Sequence, residues 1–251
     1  MSELVDFWRA GKLIGGFVND SDVPGLQAKV VEFGPAIEAF NAAYASASPD
    51  PSTVIGLCAR ARAAGVLDDL EVFGILATLL AAGGESTSSL LGTGARMLAE
   101  DPELQGRLRS NPALIGAFVE EACRVEPPFR GHYRRVVTRT TLGEVTLPAG
   151  SRLVFAWPAA NRDRALGGDQ IDIDRPNPRQ HLGFGWGLHL CVGAALARME
   201  ARVTFARLLA STQSFTIEPD STLGHHRSLM VRRLTSLPLV LVATNERLNT
   251  P

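Results

Sequence analysis

Lysine is almost missing from this chain: Lys12 and Lys29 are the only two, although Lys and Arg together number 25. That skew carries no functional reading, but the balance of charge does. With 26 acidic residues, a net charge of -1 and 20% charged residues, the 251-residue chain has neither the basic footprint of a nucleic-acid binder nor the excess charge of a disordered chain. Cysteine is scarce as well. Cys58, Cys123 and Cys191 are an odd number with no CxxC pair, which excludes a disulfide framework and a zinc site of the usual spacing and points to a reducing cytoplasm. Near Met1, Glu3, Asp6 and Arg9 interrupt the apolar residues, so no signal peptide is expected. Nor does any apolar run reach the roughly 20 residues of a membrane span. The run from Val72 to Gly84 stops at Glu85, Ser86, Thr87, Ser88 and Ser89, and a carboxylate inside a bilayer is costly. Small-molecule chemistry, with no nucleic acid and no membrane, is the expectation left.

The 45% apolar content is enough for a sizeable core. A stretch rich in Ser, Pro and Ala from Ser46 to Ser52 separates an N-terminal helical segment, residues 1–45, from the remainder at 53–251, all within one domain. In Pro24 to Tyr44, Leu26, Val30, Phe33, Ile37 and Phe40 recur at helical spacing, and Val54 to Ala64 reads as a second helix. Asp69 to Glu100 is the longest helical candidate, and with Glu85 as its only charge between Glu71 and Arg96 it is expected to be buried. Asp101 with Pro102, and Asn111 with Pro112, read as N-caps followed by proline, and the Pro127, Pro128 pair ends the second of these helices. From Tyr133 to Trp157, β-branched residues around turns, including Val145 to Leu147 and Arg152 to Trp157, predict a small sheet. A helix after Cys191 is expected to carry Leu196, Met199, Val203 and Ala206 on one face, and short strands are expected near Leu229 to Val231 and Leu237 to Val242. The fold class expected is mainly α with a small β component.

One stretch, HLGFGWGLHLCVGAALAR from His181 to Arg198, places a lone cysteine among glycines ahead of a helix. Gly183, Gly185, Gly187 and Gly193 allow positive φ and close approach, so the loop bends tightly around Cys191. At a helix start, unpaired amides and the dipole favour a thiolate, which serves as a nucleophile or a metal ligand. A small buried hydrophobe is the plainer reading of a lone cysteine. The glycines have no packing use in a core helix, however, and no Ser, His and Asp set is spaced for hydrolysis. A dinucleotide loop also fails, because Leu188 and Leu190 stand where glycine would be needed.

Phe184, Gly185, Gly187, His189, Cys191, Gly193, Leu196, Ala197 and Arg198 match FGxGxHxCxGxxLAR, and the chain thereby resembles the cytochrome P450 family. The resemblance implies a haem-thiolate monooxygenase: haem b, Cys191 as axial iron ligand with electron donation that favours O-O cleavage, and a loop of Phe184, Gly185, His189, Cys191 and Gly193 holding the cofactor. It implies a small organic substrate, and a ferredoxin with its reductase or a similar electron donor. AGGEST resembles the family's oxygen-activation segment, with Glu85 as the acid, Ser86 as the alcohol where threonine is usual, and Thr87 as a substitute. Glu121 and Arg124, on their own a modest i,i+3 pair, match ExxR, with Arg175 closing a structural triad. Arg134, or Arg135 if the register slips by one, and His181 take the positions of propionate partners. Cys58 and Cys123 match nothing of this kind and are expected to be structural. Arg198, Arg202 and Arg207 are candidates for a basic docking face, or for a solvated one. The match runs from Val54 to Val242, so the chain is expected to be the C-terminal portion of the fold, N-terminally incomplete. The alternative from another class is a truncated remnant that binds haem poorly or without turnover.

Overall fold

The computed structural model describes residues 50–228 and 230–244 together with Glu38, Ala42, Tyr44 and Ala45. Those four are helical, while most of the predicted helix from Pro24 lies outside the described residues, as does Leu229. By compactness the chain divides into residues up to Ser86 and those from Thr87 on. That boundary falls inside a helix, not at the Ser46 to Ser52 stretch.

In the first unit, helix α1 (Val54–Ala63) begins where the Thr53 hydroxyl accepts the Gly56 amide proton at 3.1 Å. Helix α2 (Asp69–Glu100) runs 32 residues without interruption. Its start is a reciprocal cap: Asp68 accepts from the Glu71 amide at 2.8 Å, and Glu71 from the Asp68 amide at 2.9 Å. Val72 and Leu76 pack with Cys58, Ile55, Leu67 and Tyr44. The expectation of a buried helix needs correction here, because Leu70, Phe73, Ile75 and Leu79 are exposed. Among the described residues α2 is also the one helix long and apolar enough to cross a membrane, at a mean hydropathy of 1.2 over 18 residues. Length and composition alone do not separate a span from a core helix, and Glu85 lies buried near its middle.

In the second unit, the end of α2 is buried through Leu90, Met97 and Leu98. Asp101 caps helix α3 (Pro102–Ser110), accepting the Leu104 amide proton at 2.9 Å, as its Asp-Pro pair predicts. Asn111 makes no such bond. Pro112–Leu114 forms a single 3-10 turn, and helix α4 starts only at Ile115. Helix α4 (Ile115–Val125) ends at Glu126, ahead of the two prolines that cannot continue it. Strands β1 (His132–Arg135) and β4 (Arg152–Phe155) pair antiparallel, and between them lies the hairpin of β2 (Thr140–Leu142) and β3 (Val145–Leu147), turned at Gly143 with φ +59°. The predicted strand to Trp157 stops at Phe155, since Pro158 opens the short helix α5 (Trp157–Asn161).

Helix α6 (Ala194–Ser211) runs into β5 (Thr212–Ile217), which pairs with β6 (Leu239–Ala243) through a bulge at Thr212 to Ser214. The bulge breaks the alternation that would mark β5 as a strand, and no strand was expected there. Among the described residues near the other predicted C-terminal strand, Val231 bridges to Phe129, flanked by the Arg130 amide donating to Met230 O and the Arg232 amide to Pro128 O. The apolar face of α6 marked by spacing is not the buried one. Leu196, Met199 and Val203 are exposed, and Ala194, Ala201, Phe205 and Leu209 are buried. Both faces are apolar enough to bury. The packing of Phe205 edge-on against Phe118 of α4, at 5.2 Å between ring centroids and 77°, decides which one does.

Candidate functional site

The loop between α5 and α6 is shaped by its glycines in two ways. Gly185 and Gly187 adopt φ of +75° and +65°, where a side chain would be strained. Gly183 has ordinary φ but no room, since a Cβ there would lie 2.6 Å from the Cys123 sulfur and 2.7 Å from its carbonyl oxygen. The loop is therefore seated directly on α4. Its turns are closed by the Gly185 amide donating to Leu182 O at 2.9 Å and the Leu190 amide to Gly187 O at 3.1 Å. The Cys191 amide donates to Phe184 O at 2.8 Å, folding the segment back so that the cysteine stands just ahead of the Gly193 cap of α6.

Cys191 is exposed, whereas Cys58 and Cys123 are buried. Around the thiol, Trp186, Leu188, Leu190 and Val192 are exposed too, Leu188 by 96% and Val192 by 89%. An exposed cysteine flanked in sequence by exposed apolar side chains suits an apolar ligand face better than water. Burial pushes the Cys123 thiol well up, which leaves it protonated and inert.

Behind the loop, Glu121 and Arg124 are fully buried and paired end to end. The Arg124 Nε and Nη2 groups donate to the two Glu121 oxygens at 2.8 Å each, and Arg175 Nη1 adds a third bond at 2.6 Å. The Asp172 amide donates to Glu121 at 2.9 Å. Arg124 also donates to the carbonyls of Asn161, Gly168 and Gln170 at 3.0, 2.6 and 2.6 Å. A guanidinium with every donor used pins the α5 to α6 segment to α4. Burial raises the Glu121 pKa, but the Arg124, Asp172 and Arg175 hydrogen bonds outweigh it and hold the carboxyl below the ordinary range.

Three further groups were not singled out from the sequence. Asn161, fully buried, accepts the Leu182 amide proton at 2.7 Å and so ties the loop entry to the carbonyl that Arg124 holds. Glu120, also buried, takes both nitrogens of Arg198, Nε at 2.6 Å and Nη2 at 3.0 Å, and the His181 ring at 3.0 Å. His132 is bonded to Trp157, whose indole N-H donates to Nδ1 at 2.6 Å. His132 therefore keeps its proton on Nε2, and burial, then Arg134 and His189, push its pKa down. Of these groups only Glu120 had a local signal: it precedes the ExxR glutamate on a helix whose neighbouring residues are buried.

Two expectations change. His181, expected as an anion partner, is turned inward: its Nδ1 accepts the Gly183 amide proton at 3.0 Å and its Nε2 meets Glu120 at 3.0 Å, so both ring nitrogens are engaged within the protein. Arg198, a candidate for a docking face or a solvated one, is bound by the same carboxylate and lies 4.3 Å over the Phe184 ring. Arg134 is exposed and lies 5.5 Å from the Phe155 ring centre, on the same face of β1 as His132. Its neighbour Arg135 takes the opposite face, across from Arg152. In the first unit, the half-buried Ser86 hydroxyl donates to the Ala82 carbonyl at 2.5 Å, one turn back along α2. Thr87 is half-buried.

This geometry defines one class of site: a single exposed cysteine presented by a rigid glycine loop, with a buried Glu-Arg-Arg triad behind it. The family model described as Cytochrome P450 matches residues 36–238, and the chain belongs to that family. It is 42% identical over 238 residues to Cytochrome P450 144 of Mycobacterium tuberculosis, covering 93% of this chain and 54% of that protein. It is 36% identical to the beta-dihydromenaquinone-9 omega-hydroxylase of Mycobacterium bovis, over 75% of this chain and 39% of that one. Among solved structures it resembles cytochrome P450 CREJ in complex with (4-ethylphenyl) dihydrogen phosphate, with a TM-score of 0.83 and 27% identity over 96% of this chain and 61% of that one. The chain spans about half the length of the curated relatives it matches.

Proposed function

We propose that the protein binds haem b through the Cys191 thiolate and inserts one oxygen atom of O2 into a small organic substrate. The other atom leaves as water, and two electrons come from a ferredoxin and its reductase or a similar donor. The observation that carries this reading is the exposed Cys191, its amide tied to Phe184 O and its flanks apolar, on a loop that Asn161 and the Glu121 triad lock in place. That donor set fits the group: one soft sulfur for the iron, and an apolar surround for the macrocycle. Haem supplies the redox-active metal and the O2 chemistry when bound. The chain's own part is to hold the sulfur in place, to meet a propionate with Arg134, and to relay protons through Glu85 and Ser86. Free cysteines at all three positions suit a reducing cytoplasm.

A reduced, carbon-monoxide-bound spectrum tests the reading: the red-shifted Soret band of thiolate-ligated haem supports it, and soluble chain without that band overturns it. Two predictions follow from the side chains. Ser86→Ala removes the hydroxyl now bonded to Ala82 and is expected to lower product formed per O2 consumed several-fold at unchanged haem content, read by comparing oxygen uptake with product yield. Arg134→Ala is expected to weaken haem retention about tenfold or more, as for loss of a charge-assisted hydrogen bond. Arg135→Ala, on the other face of β1, leaves retention unchanged in a haem-transfer assay.

A further inference from the structure

We propose that Glu120 is a positioning residue for the Cys191 loop, a role that rests on the haem-thiolate reading above. Its partners stand on both sides of the cysteine: His181 at the loop entry, bonded at 3.0 Å, and Arg198 on the first turns of α6, bonded at 2.6 and 3.0 Å. One buried carboxylate thus clips together the two ends of the segment that carries the ligand. Arg179, 3.7 Å away and exposed, adds a weaker attraction.

The link reaches the cysteine through Phe184. Arg198 is held flat, 4.3 Å over the Phe184 ring, with the His181 ring 6.0 Å away on the same residue. Phe184 O is the acceptor of the Cys191 amide. Adjacent positions on α4 point about 100° apart, so Glu120 serves the loop while Glu121 serves the triad. Glu120→Gln keeps one acceptor oxygen and turns an NH2 donor toward the guanidinium and the imidazole, so one of the two partners loses its acceptor and the ring that positions Cys191 loses its firmly held cap. A carboxylate that only stabilised the fold would not need partners confined to the two ends of this loop.

The test compares Glu120→Gln with Arg198→Lys, which keeps the charge but loses the two-pronged bond, and with Glu121→Gln. Amide exchange on the purified chain is expected to rise about tenfold across residues 183–191 in the first two variants, the factor for about 1.4 kcal/mol of lost local stability. The α3 helix should stay within about twofold of the parent in those variants. Glu121→Gln is expected instead to loosen residues 161–175. In haem-loaded protein, Glu120→Gln should increase the blue-shifted share of the carbon-monoxide band and move the reduction potential. Unchanged loop exchange, or equal acceleration everywhere, overturns the proposal. A parent chain lacking the red-shifted band overturns the haem-thiolate reading instead, and the exchange arm still decides Glu120.

Discussion

Replacing Cys191 with alanine is expected to abolish the red-shifted carbon-monoxide band and to reduce substrate oxidation to background, with little loss of fold stability. The reason is exposure. Cys191 is exposed, and the loop around it is held by the Phe184 carbonyl, Asn161 and Glu120. A replaced thiol therefore costs the ligand and leaves the scaffold. Cys58→Ala and Cys123→Ala make the comparison sharp. Both residues are buried, so each variant loses stability while retaining the band. A C191A chain that kept the band would remove the cysteine from the site.

The largest effect on stability is expected from Arg124. Arg124→Met leaves Glu121 charged in a site with no solvent access and strands the Asn161, Gly168 and Gln170 carbonyls, for a loss of about 3–5 kcal/mol in denaturant unfolding. The double change Arg124→Met with Glu121→Leu is expected to recover only part of that loss: the buried carboxylate is gone, but Arg175, whose side chain is 9% exposed, is left without its Glu121 acceptor. The pH dependence follows from the same pair. Glu121 and Glu120 both have pKa values held below the ordinary carboxylate range; for Glu120, burial raises it and hydrogen bonds from His181 and Arg198 lower it further. A group whose folded value is depressed stabilises the fold above its unfolded pKa and loses that contribution as pH falls through the folded one. Stability is therefore expected to decline on the acid side of the carboxylate range, and Glu121→Gln to flatten that decline while lowering stability at neutral pH.

Much of the site was legible in the chain because it is local. The glycine spacing before Cys191, the three-residue step from Glu121 to Arg124 and the Asp-Pro cap at 101 are short patterns whose geometry follows from nearby backbone, and Gly185, Gly187 and Asp101 adopt what their residue types favour. The surroundings of His181 and Arg198 were not legible, for the opposite reason. Each has a local pattern that fits two surroundings, and partners distant in sequence, such as Glu120 for Arg198, select one. Strand β5 was missed because its bulge hides the alternation on which a strand reading depends.

By itself the sequence determined where α1, α2, α3 and α6 lie, that the sheets are small, which cysteine stands alone among glycines, and the family. Those properties are set by backbone preference and short-range spacing. Only the tertiary structure decided which face of α6 is buried, that Gly183 is needed for space against Cys123, and that one turn of α4 sends Glu121 to the triad and Glu120 to the ligand loop. A charge or an apolar side chain does not choose its direction alone; packing against a distant segment and the desolvation of every unpaired group choose it.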